Sequence, residues 1–534
     1  MSDLSRNLIN INSILLPRIL TQVCRDKFSP LYGSFDRNWW HYKIRDFSSL
    51  ILQQGGYAIY CYYKDSKEYS SKNSIFNLIK ASAIFWNKQA ESYGAFEEYY
   101  PWEKGYPPLA FSTLAIAKLV QERVVDFDEV SRGMKVAAKQ LLNRFESEAS
   151  NQQIAGLAAL GVLKKIAPEL VNQTIFDKLS DRSLKLQNKE GWFYEYGGPD
   201  LGYLSVTLDC LWDLYDFTGD KSYIKSASRS LDFIYKITSS DKNNSIGILN
   251  SRNTDYITPY GIARFLKHDN KKIKNKASIL LHNLFSNISK NNHFLYAIDD
   301  RYLCHYIGHS FFRTSVLLKN SPVESFNKYK IKKDIFFDES GFLLLMSEKR
   351  SYTALVSCKK GGSLTLNFSG KKCSDFGWVL KHKNKTFVSN WWGDFWEIEK
   401  HNNFIKIKGF LTKHKENISN PFKHFCLRIL SFLFGEKVIP ILKELIIFKF
   451  NSRKAIPFTR EIYFNKEVFK IIDTIQADKS FNLYKSNRSS QRHVASANSF
   501  NSEDFKIIND RVKVKELLDR TNKMIKVISI YRNF

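Results

Sequence analysis

Between Asn188 and Asp220 the chain reads NKEGWFYEYGGPDLGYLSVTLDCLWDLYDFTGD. Tyr194, Glu195, Tyr196 and Asp200 lie in its Gly-rich first half, which runs through Tyr203 into Leu204, Leu208, Leu211 and Leu214, spaced as on one helix face. A loop loaded with phenols and acids and pinned to a helix N-terminus suits sugars, whose rings stack on aromatic faces. The alternative is a surface loop whose rings pack on neighbouring helices. In YGSFDRNWWHYKIRD, His41 could act as acid or base and the Trp39–Trp40 pair as a sugar platform; the same cluster could equally anchor the N-terminal arm. ESYGAFEEYYPWEKGYPP adds Glu97, Glu98, Tyr99, Tyr100 and Trp102.

These groups need elements to hold them. Helical patterns begin near Trp39, Leu109, Asn151, Tyr203, Thr258 and His309, which makes about six starts, the later ones roughly 40 to 55 residues apart. Repeats of that length predict stacked helical hairpins, and a closed ring of them is an (α/α) toroid, expected over residues 1–320. Loops entering the inner helices would gather at one end and bring together His41, Glu97 to Trp102, Gln152, Gln153, Tyr194 to Tyr203, Arg252 to Tyr260, and His305 to His309.

Past residue 321 the period changes. Short apolar runs alternate with Gly, Asn, Asp and Lys turns, which predicts antiparallel strands and a β-sandwich over 321–534. Strands are expected at Phe404–Gly409, Leu445–Phe450, Arg460–Phe464, Val468–Ile475, Phe505–Asn509, Val512–Glu516 and Met524–Tyr531. One segment interrupts them: at 420–447, Phe422, Phe425, Ile429 and Leu433 share a helical face among Lys423, His424, Arg428 and Lys437. Such a basic, apolar helix either lies in a membrane interface or packs on the sandwich. The polar stretch from Lys485 to Phe505 reads as a linker, or as a loop bringing Arg492 and His493 to the cleft.

Composition bounds the rest. The chain has 534 residues, 43% hydrophobic and 15% aromatic, which excludes global disorder and fits two or three domains. A formal charge of +28 suits a polyanionic partner, yet no zinc finger, helix-turn-helix or RRM signature points to nucleic acid. Seven scattered cysteines without a CxxC pair predict reduced thiols. No secretion signal is evident in the N-terminal residues, so a cytoplasmic location is expected, with 420–447 as the segment for peripheral contact at the inner membrane face.

The order of helical ring and β-domain, with EGWFYEYGGPDLGYLSVTLDCL in a ring loop, resembles the heparinase II/III-like group of bacterial polysaccharide-lyase-fold proteins. FDESGFLLLMSEKRSYTALVSCKKGG resembles the opening of that group's β-domain, and RHVASANSF a loop late in it. The resemblance implies β-elimination on an acidic glycan. A uronate carboxylate must be neutralised, its neighbouring proton removed, and the leaving oxygen protonated. On that reading Tyr203, Tyr256, His41, His305 and His309 are the catalytic candidates. Trp39, Trp40, Glu97, Tyr100, Tyr194, Glu195, Tyr196, Arg252, Asn253, Arg492 and His493 are the substrate-binding ones. The adjacent Asn–His pair of many such lyases occurs here only as Asn292–His293, in the polar run NISKNNHF, away from the cleft loops.

The expected partner is an acidic polysaccharide or lipid-linked glycan of capsule or O-antigen metabolism, with no nucleic acid. No cofactor is expected. His305 and His309 at i, i+4 could share a ligand, but no HExxH acid accompanies them, and no metal is expected. Two other readings stay open: a non-catalytic glycan-binding or assembly factor at the inner membrane face, and a glycoside hydrolase using paired carboxylates such as Glu97, Glu98, Glu195, Asp200 and Asp255.

Overall fold

The computed structural model describes residues 3–66, 73–91, 94–238, 246–252, 254, 256–285, 294–320, 332–368, 371–414, 420–442, 454–477, 480–489, 513–520 and 523–532. Six helices form a closed inner ring: Gln54–Tyr63, Tyr106–Gln121, Ser150–Ile166, Leu201–Thr218, Tyr260–Arg264 and Gly308–Asn320. Each packs on the next, and Gly308–Asn320 returns to Gln54–Tyr63. The inner helices are rich in Ala, Gly, Leu and Ser and buried on almost every face, the composition a fully enclosed helix requires. Around them run amphipathic helices. In Phe127–Asn143, for example, Val130, Met134, Ala137, Ala138 and Leu141 make one buried stripe.

The expected start at Trp39 is a correction. Helix there lasts one turn, Arg37–Trp40, and the ring helix begins at Gln54. Gly55 and Gly56 open this helix and permit close packing. A Cβ on Gly55 would sit 2.2 Å from the Phe35 ring, and one on Gly56 2.1 Å from the Ser82 hydroxyl.

Strands follow from Ile335. A first antiparallel sheet has the order β1(Ile335–Phe337), β2(Phe342–Leu345), β3(Tyr352–Ser357), β4(Ser363–Phe368), β5(Lys371–Asp375). A second sheet contains β6(Trp378–His382), β7(Lys385–Val388), β8(Glu397–Lys400), β9(Phe404–His414), β10(Lys454–Phe464), β11(Val468–Ile475), β12(Asn482–Lys485), β13(Lys513–Arg520) and β14(Ile525–Arg532). Its order is β12-β6-β7-β9-β10-β11-β14-β13, with β8 on β9.

Alternation along β2 explains how the parts join. Phe342 and Leu344 enter the core of the ring, while Leu343 and Leu345 enter the core between the sheets. The first sheet is therefore the middle of three layers. Between the sheets, Arg460 makes a two-pronged ion pair with Asp473, at 2.7 and 2.8 Å, and reaches Asp375 at 3.1 Å. The segment at 420–447 contains a helix, Pro421–Phe434, and a short one, Val438–Leu442. The strands expected at Leu445–Phe450 and Phe505–Asn509 lie outside the described residues. No helix among the described residues is long and apolar enough to cross a membrane.

Candidate functional site

The N-terminal ends of the inner helices meet loops that hold most of the polar candidates. Asp200 caps the Leu201–Thr218 helix, its Oδ1 accepting from the Tyr203 backbone N–H at 3.0 Å. The Thr254 hydroxyl donates to the same oxygen. Asn250 ties the neighbouring loop in, accepting from Leu201 N–H at 2.8 Å and donating to the Thr254 carbonyl at 2.6 Å. Ser251 donates its N–H to the Pro199 carbonyl and its hydroxyl to that of Glu195, each at 2.8 Å.

This lacing holds Arg252. Its guanidinium lies 4.0 Å from the Tyr196 ring centroid and 5.5 Å from that of Tyr203. Burial works against the Arg252 charge, yet Tyr203, Tyr196, Glu195 and Asp200 around it raise its pKa above the ordinary guanidinium value. Tyr196 has a left-handed backbone, φ 50°, which bulky residues adopt at a cost. Asp36 (φ 94°) and Trp102 (φ 58°) do the same in neighbouring loops. Strain of this kind persists only where surrounding contacts impose it, and it gathers at functional sites.

Beyond Arg252 the phenols form a chain. The Tyr203 and Tyr256 rings meet edge to face at 6.5 Å, and the hydroxyls of Tyr256 and Tyr306 are 2.7 Å apart. Tyr99 interacts electrostatically with Glu98, Tyr302 and Tyr203. More than half of the Tyr99 side chain meets solvent, while its hydroxyl end is sunk beside Glu98, which raises its pKa well above the usual phenol value. Burial, then Glu103, pushes Glu98 up to about 8. His305 lies 5.0 Å from Tyr302, ring to ring, and burial followed by Arg301 lowers its pKa to about 3, so its imidazole is neutral.

Not every candidate joins this group. His309 is buried deeper in the ring, 3.4 Å from Gln54 and edge-on to Tyr57, near Lys118 and Arg313. The π-turn Leu303–Ile307, with His305 itself non-helical, breaks the i, i+4 register expected of the two histidines. Among the described residues no group of three or more His, Cys, Asp or Glu is arranged to hold a metal ion. His41 is exposed beside Trp40 and Tyr42. Trp40 donates to the Gln22 carbonyl at 2.8 Å, and Trp39 packs on Phe85, so this pair binds the N-terminal arm to the ring.

Two candidate acids, Glu97 and Glu195, are turned to backbone N–H groups, as is their neighbour Glu103. Glu97 accepts from Trp102 N–H at 2.6 Å, and Glu195 accepts twice from Asn151 at 2.7 Å. Glu103 accepts from Glu98 and Tyr99 N–H at 2.9 and 2.8 Å. Tyr100 is buried and Tyr194 stacks on Trp192. Asn253, Asp255, Arg492, His493 and the Asn292–His293 pair lie outside the described residues. Tyr302 and Tyr306 in RYLCHYIGHS are site residues that the sequence reading does not include; their only signal there is that they flank His305.

The β-domain abuts the same loops. Trp392 donates to the Gly197 carbonyl at 3.0 Å, Lys360 to those of Gly247 and Asn250, and Glu190 accepts from Glu339 and Ser340 N–H. A cavity of about 400 Å³ opens at the other end of the ring, between Lys118, Asp216, Tyr260, Arg264 and Arg313. Its charges pair with one another, Arg264 with Asp216 and both Lys118 and Arg313 with Asp213, as in a structural network.

No family model and no curated protein matches the sequence. Solved structures do resemble it. The chondroitin AC lyase of Streptomyces coelicolor A3 in complex with chondroitin sulphate aligns with a TM-score of 0.54 at 8% identity, over 99% of this chain and 80% of that one. A tyrosine-to-alanine variant of that lyase aligns with a TM-score of 0.50 at 8% identity, over 99% and 80%. Heparinase III aligns with a TM-score of 0.43 at 11% identity, over 98% and 89%. The chain thus has the fold of a polysaccharide lyase, an α/α toroid followed by antiparallel β-sheets.

Proposed function

We propose that this protein cleaves an acidic glycan by β-elimination. The observation that carries the reading is Arg252, a cation clasped by Tyr196 and Tyr203 at the mouth of the ring, next to the linked phenols Tyr256 and Tyr306. Arg252 would neutralise a uronate carboxylate, which makes the neighbouring C–H acidic. Tyr203, reacting as the phenolate beside the Arg252 cation, would take that proton, and a phenol of the same group would give its own proton to the leaving oxygen, Tyr99 being the one that meets solvent. The shared fold with a chondroitin AC lyase solved with chondroitin sulphate supports an acidic polysaccharide as substrate.

A hydrolase with paired carboxylates has less support, because Glu97, Glu195 and Asp200 each accept from a backbone N–H group, of Trp102, Asn151 and Tyr203 respectively. A glycan binder would use the same aromatic groups without proton transfer. Incubation with uronate-containing glycans, among them the source strain's own surface polysaccharide, separates the readings. A rise in ultraviolet absorbance from the unsaturated uronate product is expected. Release of new reducing ends without that absorbance would establish hydrolysis, and binding without either would establish a binder.

A further inference from the structure

The Pro421–Phe434 helix, PFKHFCLRILSFLF, contains no acid and buries only Ser431. Phe422, Phe425, Phe432 and Leu433 are each between 60% and 74% exposed, and Ile429, Leu430 and Phe434 are exposed as well. At about 100° per residue, Phe432, Phe425, Ile429, Phe422, Leu433 and Leu430 fall on one continuous outward face, with Lys423 at one border and Arg428 at the other. The helix is held to the ring along the Arg428 edge of this face and just past its C-terminal end. Arg428 makes a two-pronged ion pair with Asp46, one contact at 3.0 Å, Phe432 meets Trp102 at 5.4 Å, and Arg144 lies 3.6 Å from Glu436.

Asp46 and Trp102 belong to loops at the N-terminal mouth of the ring. Beside Asp46, Tyr42 and Ile44 are exposed on either side of Lys43. Two separate segments thus present large apolar side chains among cations at one place. A patch of this kind is rare on a monomeric soluble protein. A second copy fits it poorly, since two faces bordered by Lys423 and Lys437 would repel within a chain of net charge +28.

We infer that this helix, with the Tyr42–Ile44 loop tip, seats the protein on an anionic lipid surface. Phenylalanines on one side and cations along the border match a helix lying at the headgroup level. The seating brings the mouth of the ring close to the lipid, so the glycan would be presented from the membrane. That last step rests on the proposed glycan reading, whereas the lipid contact does not.

Sedimentation with vesicles of phosphatidylcholine, with and without phosphatidylglycerol, tests it. The full chain is expected to pellet with the anionic vesicles, less so as salt rises, and the Phe422→Asp/Phe425→Asp variant to lose at least about tenfold in binding. Both side chains are exposed, so the melting temperature and cleavage of a soluble uronate glycan should not change. Lys423→Glu/Lys437→Glu should weaken binding to the anionic vesicles only. Equal pelleting of the Asp variant, or no pelleting of the unaltered chain, would overturn the inference, as would a dimer seen by light scattering that the same Asp pair dissolves. Vesicle binding without glycan cleavage would remove the lyase reading and leave the lipid surface standing.

Discussion

The Arg252 guanidinium lies 4.0 Å above the ring of Tyr196, a tyrosine held in the left-handed backbone region at φ 50°. The strained residue aims its ring at the cation, and the Tyr203 ring lies 5.5 Å away. If Arg252 neutralises a carboxylate, Arg252→Ala should lower kcat/KM by about 10²- to 10³-fold, the usual loss when one charge-stabilising donor is removed. Arg252→Lys should recover only part of this, because an ammonium lacks the planar face that stacks on Tyr196. Initial rates from the product absorbance decide the matter. An unchanged rate in the Ala variant would remove Arg252 from the mechanism.

Tyr203 and Tyr256 should separate in the same assay. Tyr203→Phe keeps the ring and its edge-to-face contact with Tyr256 but deletes the hydroxyl, so a rate loss of about 10²- to 10⁴-fold is expected. Tyr256→Phe leaves Tyr306 without its hydroxyl partner, a loss on the order of 1 kcal/mol in stability, with a small change in rate. If Tyr256→Phe proves the more damaging to rate, the proton-transfer roles are exchanged.

Much of the frame was legible in the chain. Helix starts recur at a hairpin's length, and the strand period begins where the ring helices end. What local pattern hid were contacts made across the fold. Phe35 and Ser82 occupy the space that Cβ atoms on Gly55 and Gly56 would need, and nothing near those glycines in sequence announces it. Glu97 and Glu195 looked available for substrate, but their acceptors satisfy the backbone N–H groups of Trp102 and Asn151. Tyr302 and Tyr306 join the site through the π-turn around His305, and a turn of that kind has no spacing signature. The stacking of Arg252 on Tyr196 links residues too far apart in sequence for any periodicity to reveal.

Glu195 makes stability depend on pH. Burial raises its carboxyl from 4.5 to about 8. Between those values the folded chain holds a proton that the unfolded chain has released, so the Glu195 contribution to stability is fully present below pH 4.5 and is lost as pH rises through about 8. Glu195→Gln keeps an acceptor for Asn151 and removes the titration. The unfolding free energy of the unaltered protein, from urea titrations, should drop between pH 5 and pH 8, and that of the variant should drop less, by about 1–3 kcal/mol at the alkaline end. Glu98, raised to about 8, titrates in the same window, so some slope should remain. Parallel slopes would show that Glu195 ionises normally in the folded chain.

The ion cluster between the sheets gives a test independent of the active site. Arg460 is fully buried and holds Asp473 with two contacts and Asp375 with one. Asp375 also accepts from Lys485 at 2.9 Å and Tyr531 at 3.0 Å, and Trp378 donates to Asp473 at 2.6 Å. Arg460→Met would leave Asp473 charged in a low-dielectric core with the indole N–H as its remaining polar contact, and breaking such a pair from one side costs about 3–5 kcal/mol. Asp375, with three other donors in Lys485, Tyr531 and the Gly377 N–H, should be little disturbed. Replacing Asp473 as well, in Arg460→Met/Asp473→Leu, removes the orphaned charge and should restore part of the loss, with the unpaired Trp378 N–H limiting the recovery. Urea unfolding followed by tryptophan fluorescence reads both variants. A double variant less stable than the single one would mean that Asp473 is held by contacts other than Arg460.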